Sequence, residues 1–539
     1  MKSRMLAAAA LTLFSLCALS PVFALNGESY IHDPSTVVMS NGKYFAFGTG
    51  GGGLISDDGW TWHSGAVRPG GGVAPDVIHI GDRYYVSYAV GGGGMSGGHA
   101  SNVKVMWTKS LDPKSPDFKF HDVGVVASSN GVEDCDAIDP SFLYEKGRLW
   151  LSYGTYFGYI RIVELDPKTG KRVAGNKAVN AAIDMEATDL IYRDGWYYLL
   201  GTHGTCCDGA NSTYNIRVGR SRSVLGPYVD NMGTPLLKGG GKLVAGANGR
   251  HIGLGHFGRM IIDKDVERFS MHYEADMDRS GRSVLAIRPL LWQNDWPVGG
   301  YNLQGGTYEI QSQRSGGALE LNVDFVRMGR SFRGFGGFGG PGGPPRPGAA
   351  NQRPQAPGAP RNNQRPPRPA GGGFGFFRAP AGPVKPIPDQ TLAQDSAVWP
   401  SGNIDVDLNQ YMVRPHQVWT ITPVDNAGGY PGSPYFKIVI AGTDRALAAT
   451  ADGDVIAVPS YTGASEQLWR IEQLTDGTYR IMPKAMPGSN GPMALTAVGA
   501  STPALVKFNP DGDQARWNLI KVEKSTVPST ESIPGNQKP

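Results

Sequence analysis

From Tyr30 to about Trp296 the apolar residues fall in short runs that alternate with polar ones, and stretches of helical periodicity are few. Gly42-Lys43-Tyr44-Phe45-Ala46-Phe47, Gly81-Asp82-Arg83-Tyr84-Tyr85-Val86, Lys146-Gly147-Arg148-Leu149-Trp150-Leu151 and Arg193-Asp194-Gly195-Trp196-Tyr197-Tyr198 share one form. In each, a turn carrying glycine leads into alternating aromatic and aliphatic residues, which reads as a hairpin. Met260 to Tyr273 offers a fifth copy. Antiparallel units spaced by tens of residues predict an all-β fold, a five-bladed β-propeller around a central channel, with a β-sandwich as the other arrangement such strands permit.

A second repeat runs through residues 301–522. Thr307-Tyr308-Glu309-Ile310, Tyr435-Phe436-Lys437-Ile438 and Thr478-Tyr479-Arg480-Ile481 each lead to an Ala-Leu pair, at Leu319, Leu447 and Leu495. Each copy closes near a tryptophan, in Gln417-Val418-Trp419, Gln467-Leu468-Trp469 and the one-residue-longer Gln514-Ala515-Arg516-Trp517. This pattern resembles the threefold ricin-type β-trefoil, whose glutamine and tryptophan close each repeat and whose members often bind carbohydrate. The resemblance implies a second glycan at the C-terminal domain, although the same tryptophans pack a trefoil core whether or not sugar binds.

Composition divides the chain further. Residues 327–388 are rich in Gly, Pro, Arg, Asn and Gln and almost free of aliphatics, so they are expected to be a disordered insertion within the first trefoil lobe. They carry nine arginines and no acid, so the formal charge of +4 hides a net acidic remainder. Arginines interleaved with phenylalanines could adhere to an acidic polymer, but a solvated loop is the commoner outcome and nucleic acid is not expected as a partner. Residues 1–24 combine Lys2 and Arg4 with an apolar run from Met5 to Leu19 and Val22-Phe23-Ala24, the form of a cleavable export signal. A secreted protein, extracellular or periplasmic and monomeric, is therefore expected, with no later membrane-spanning stretch. The resulting units are 25–300 for the propeller, 301–326 with 389–523 for the trefoil-like domain, and 524–539 as a flexible tail. Beyond the signal lie three cysteines, Cys135, Cys206 and Cys207, too few to staple a chain of 539 residues. Either a vicinal disulfide or a bridge to Cys135 is open to them.

Three acids stand at the ends of apolar strands rather than in charged turns: Asp33 in His32-Asp33-Pro34-Ser35, Asp139 in Ile138-Asp139-Pro140-Ser141, and Glu186 in Asp184-Met185-Glu186-Ala187-Thr188. One Asp-Pro pair alone reads as a turn. Two such pairs and a glutamate, each just ahead of a hairpin copy, suit acids converging on one funnel. Inverting glycoside hydrolysis needs that arrangement, one carboxyl to protonate the leaving oxygen and another, about 6.5–9.5 Å away, to activate water.

Across about residues 30–298 these sites resemble glycoside hydrolase family 43, in particular its endo-arabinanases. The most specific stretch is Cys206-Cys207-Asp208-Gly209-Ala210-Asn211-Ser212-Thr213-Tyr214-Asn215-Ile216-Arg217-Val218-Gly219-Arg220-Ser221, joined by Ala74-Pro75-Asp76, Gly255-His256 and Leu291-Trp292-Gln293-Asn294-Asp295-Trp296-Pro297. The resemblance implies Asp33 as general base, Glu186 as general acid, and Asp139 as the group that orients the acid and raises its pKa. It also implies substrate contacts at Asp76, Asn211 and Ser212, and a calcium or similar cation held in the axial channel by His256, largely through water. His32 is expected to be a hydrogen-bonding partner of the base. The implied substrate is plant cell-wall arabinan, cut within the chain at α-1,5-L-arabinofuranosyl linkages. Other readings are an exo-acting arabinofuranosidase, a related xylosidase or galactanase, and a carbohydrate-binding protein without catalysis. Val73 and Thr188 depart from the family pattern where tryptophan and proline are usual, which leaves endo against exo cleavage open.

Overall fold

A computed structural model describes residues 25–91, 100–131, 135–323, 400–489 and 491–522. Residues 1–24, expected to be an export signal, the Gly/Pro/Arg-rich stretch 327–388, the tail 524–539 and Gly92–Gly94 of one glycine-rich loop lie outside the described residues. Within them the chain is almost entirely β, and no helix is long and apolar enough to cross a membrane.

The first half forms five antiparallel sheets, one after another in sequence. Their innermost strands are Val38–Ser40, Val73–Ile80, Ser141–Glu145, Glu186–Arg193 and His251–Asp263, which open blades one to five. Each predicted hairpin supplies the second strand of its blade, as Lys43–Phe47, Arg83–Gly91, Arg148–Tyr153, Trp196–His203 and Val266–Asp276. Tight turns such as Asn41-Gly42 and Asp194-Gly195, with φ of 51° and 77°, 50° and 80°, join first to second strands. Those left-handed values explain the Asn/Asp-Gly pairs, which tolerate them at little steric cost.

Alternation then puts one face of every sheet against the next blade. Five apolar clusters result, one per interface: Phe45, Phe47, Val86 and Met106 join blades one and two, for example, and Ile191, Leu200, Phe269 and Met271 join four and five. The ring closes between blades five and one through Leu25, Ile31, Trp62 and Ile287. There the strand Asn26–Gly27 runs parallel to Thr61–Val67 of blade one, while Leu285 of blade five donates its amide to the Ser29 carbonyl at 2.7 Å. The segment leading to Asp33 therefore clasps the first blade to the last.

The second half is a β-trefoil. Trp419, Trp469 and Trp517 are fully buried, and each indole N–H donates to the carbonyl of an Ala-Leu pair: Leu319 at 2.8 Å, Leu447 at 3.0 Å and Leu495 at 2.8 Å. Gln417 and Gln467 accept matching backbone amides from Met412 and Thr462, whereas the third copy, one residue longer, uses the Gln514 carbonyl toward Ala497. Ala318–Leu321 pairs with Ile404–Asn409, so the unbroken lobe continues on the far side of residues 324–399. The trefoil docks on turns of blades one and five through Asp58 with the Gly429 amide, Asp263 with Arg480, and Asp265 with Arg516.

Candidate active site

A kink opens every innermost strand. At or ahead of each of these strands one non-glycine residue is left-handed: Asp33 (φ 49°), Ala74 (48°), Asp139 (51°), Ala187 (44°) and His256 (63°). In blades two, four and five the strand register slips at this point, between Val73 and Asp76, Glu186 and Asp189, and Gly255 and Gly258. L-residues rarely hold this conformation, and such strain persists where surrounding structure fixes it. In four of the five blades the kink residue lines one cavity, whereas the residue two further on does not.

The kink residues Asp33, Asp139, Ala187 and His256, with Glu186, line one cavity of about 410 Å³. Its walls include Tyr156, Phe157, Tyr214 and the disulfide-bonded Cys206 and Cys207. The pairing left open by sequence is thus vicinal, and Cys135, outside the disulfide, is buried in the core between blades two and three with its thiol donating to the Asp136 carbonyl at 3.4 Å.

The three acids have opposite electrostatic surroundings. Asp33 Oδ1 faces His32 Nδ1 at 3.0 Å and His256 Nδ1 at 3.4 Å, and Oδ2 accepts the Thr49 hydroxyl at 2.7 Å. Burial alone would raise its pKa, but the His256 and His32 imidazoles outweigh it and hold the carboxyl well below the ordinary value. Glu186 is pushed up to about 8 by burial, with the charges of Asp33 and Glu274 adding to that and the hydroxyl donated by Tyr214 opposing it. Asp139 is likewise raised well above its ordinary value, by burial first and then by Glu186. Asp139 Oδ2 also accepts the Ala187 amide at 3.2 Å, gripping the backbone beside Glu186.

The three residues expected at substrate stand elsewhere. Asp76, two past the kink, does not line the cavity; its Oδ1 accepts the Thr36 amide at 3.0 Å and its Oδ2 the Phe142 amide at 2.9 Å, tying blade two to both neighbours. Asn211 sits on an exposed single turn, Gly209–Asn211, outside the cavity lining. Ser212 is buried and donates its hydroxyl to the Thr205 carbonyl at 2.8 Å, which shapes the loop that carries the disulfide and Tyr214. Alternation along Ser212, Tyr214, Ile216 and Val218 marks the buried face of this segment, and it could have singled out Tyr214.

His256 was expected to hold calcium. Its neighbours are the Asp33 carboxylate and, at 6.3 Å between ring centres, the His272 imidazole. Calcium takes about six to eight oxygen ligands, so a cation held here largely through water would draw few of them from the chain, and no chemistry below passes through a cation.

A second hollow, of about 370 Å³, lies on the outer face of the trefoil. Thr420, Thr422, Lys437, Asp444 and Tyr461 line it, with Lys437 Nζ 5.0 Å from the Tyr461 ring centre and the Tyr461 amide donating to the Asp444 carbonyl at 3.0 Å.

Residues 47–297 match the glycosyl hydrolases family 43, and residues 415–504 match the ricin-type beta-trefoil lectin domain-like family. Over 296 residues the chain is 30% identical to the extracellular endo-alpha-(1->5)-L-arabinanase 1 of Bacillus subtilis (strain 168), a span of 50% of this chain and 87% of that protein. It is also 30% identical over 243 residues to the extracellular exo-alpha-(1->5)-L-arabinofuranosidase ArbA of Cellvibrio japonicus (strain Ueda107), covering 42% of this chain and 68% of that one. Among solved structures, an exo-1,5-alpha-L-arabinanase from a bovine ruminal metagenomic library is 30% identical, with a TM-score of 0.47 over 52% of this chain and 100% of that chain.

Proposed function

The chain belongs to glycosyl hydrolases family 43 and is a glycoside hydrolase, and from that premise we propose that it is an exported enzyme that cuts α-1,5-linked L-arabinofuranosyl chains of arabinan internally, by inversion. The observation that carries this reading is the opposed poise of Asp33 and Glu186 on one cavity wall: one carboxyl is held ionised and the other holds its proton past neutrality. Environments that drive two carboxyls apart assign a base and an acid.

In this reading Glu186 protonates the departing glycosidic oxygen, and Asp33 takes a proton from the water that attacks the anomeric carbon from the opposite face. Oδ1 of Asp33 already faces two imidazoles and Oδ2 accepts one hydroxyl, so an open lone-pair direction on Oδ2 is where that water would bind. Asp139, buried beside Glu186, keeps the pair from ionising together, and it holds the backbone next to Glu186 through the Ala187 amide. Tyr156, Phe157, Tyr214 and the disulfide would shape the furanose subsites. Export rests on the reading of residues 1–24, and internal cleavage on the resemblance to endo-acting relatives. The exo reading is favoured by one observation, the equal identity to an exo-acting relative.

The trefoil hollow would take the second glycan, a neutral one, because Asp444 and Lys437 offer an acceptor and a donor beside two threonine hydroxyls and a tyrosine ring. Digestion of linear arabinan, followed by NMR of the first-formed anomer and by chromatography of the products, tests the whole reading. Inverted arabino-oligosaccharides are expected. A retained anomer would overturn the roles of Asp33 and Glu186, and arabinose as the sole product would replace internal by terminal cleavage.

A further inference from the structure

Glu274 stands on the second strand of blade five, 5% exposed and outside the cavity lining, in a stretch that gave no sequence signal. Its Oε1 accepts the Cys207 amide at 3.1 Å and lies 3.3 Å from His32 Nε2 and 3.5 Å from His272 Nε2. His32 reaches Asp33 Oδ1 with its other nitrogen at 3.0 Å. His272 accepts the Asp33 amide at Nδ1, 3.1 Å away, so its own proton sits on Nε2, at ion-pair distance from Glu274 without a formed hydrogen bond. The two imidazoles stack with ring centres 4.5 Å apart. The ion pair of the Asp33 side chain with His32 and the hydrogen bond of its backbone to His272 thus both lead toward one carboxylate oxygen.

We propose that Glu274 is a positioning residue for hydrolysis: through His32 it fixes the Asp33 side chain, through His272 the Asp33 backbone, and through the Cys207 amide the disulfide wall of the cavity. The inference rests on the reading of Asp33 as base. An imidazole between two carboxylates, donating from both nitrogens, cannot rotate without losing a charge-assisted bond at each end. Asp33 is left-handed and follows a chain segment clasped between blades, so its backbone alone does not set the rotamer. Because Oε1 also holds the Cys207 amide, the distance from base to sugar-facing wall is set by one atom. Glu274 touches no substrate, so its removal should disturb the alignment of the attacking water more than the binding of the glycan.

The experiment is a double-mutant cycle on the full chain with linear arabinan, comparing wild type, Glu274→Gln, His32→Asn and the double variant, with kcat and KM measured separately and folding checked by thermal melting. Glu274→Gln is expected to lower kcat by about 10- to 100-fold, the scale of an ångström-sized misplacement, with KM changed by less than about threefold. In the His32→Asn background the same change should cost much less, because part of the path to Asp33 is already cut. An unchanged kcat, a loss carried by KM, or effects that simply multiply would overturn the proposal. If Glu274→Gln melts below the assay temperature, His32→Asn alone decides: it must reproduce the loss in kcat at constant KM. Asp33→Asn is the separate control, since full activity there overturns the reading of the base while leaving the cycle between Glu274 and His32 readable.

Discussion

Asp139 and Asp189 lie in adjacent blades, both buried carboxyls at the start of an innermost strand, yet they face different things. Asp139 is the kink residue of blade three and lines the cavity; Asp189, two past the kink of blade four, lies deeper and accepts the Ser141 hydroxyl at 3.0 Å. Asp33 and Asp76 repeat the contrast in blades one and two. Around the ring the kink position reads Asp, Ala, Asp, Ala, His, and the position two further on reads Ser, Asp, Ser, Asp, Gly. Acids at the kink meet the cavity, and acids two residues on form a girdle that pins neighbouring blades. The lesson is that the same side chain in the same motif serves chemistry or framework according to a displacement of two residues along a strand.

The largest test breaks that division outright. Asp33→Ala and Glu186→Ala should each cut turnover of arabinan by about 10²–10⁴-fold, measured as reducing ends, with melting temperatures near wild type. Activity surviving in either would remove the cavity acids from the chemistry. For the girdle the expectation reverses: Asp76→Ala leaves the Thr36 and Phe142 amides without their acceptor and should cost on the order of 2–4 kcal/mol in urea unfolding. Turnover per folded molecule should fall far less, and a collapse of kcat in a stably folded variant would place Asp76 in the cavity after all.

A smaller effect sharpens the cavity acids among themselves. Glu186 must carry its proton to act, and its raised pKa keeps that proton through neutrality, so activity should decline as pH rises through about 8. Asp139→Asn leaves one ionisable carboxyl where two share the site, lifts the like-charge penalty on their joint ionisation, and should move this alkaline limb down by about one pH unit. A limb that stays in place would leave Asp139 only its grip on the Ala187 amide. The smallest effect takes the contrast to the trefoil, where a hollow is proposed to bind glycan without a kink. Tyr461→Ala should weaken retention on insoluble arabinan by about 1 kcal/mol, seen in a pull-down isotherm, and leave kcat on short soluble substrates unchanged.

Much of this was legible in sequence because it rests on local periodicity. The five hairpins announced the blades, and the spaced Leu and Trp residues announced the trefoil, whose indoles close on those same leucines. Asp33, Asp139 and Glu186 were legible because each precedes a hairpin. Depth within the channel was not: Ala74-Pro75-Asp76 looks like Asp33-Pro34-Ser35 until the register slip shows which residue turns outward. Partners brought in by ring closure were equally hidden, since His272 and Glu274 reach the base across more than two hundred residues of chain.

The clasp between the first and last blades carries one more consequence. Asp33 follows Ile31 by two residues, and Ile31 is part of the apolar cluster that seals the ring. Sealing the ring and installing the base are thus a single structural event. Loosening at that seam would silence the enzyme while four interfaces are still packed, so on heating or in mild denaturant catalysis should be extinguished ahead of the bulk β signal, making turnover a sensor of whether the circle is shut.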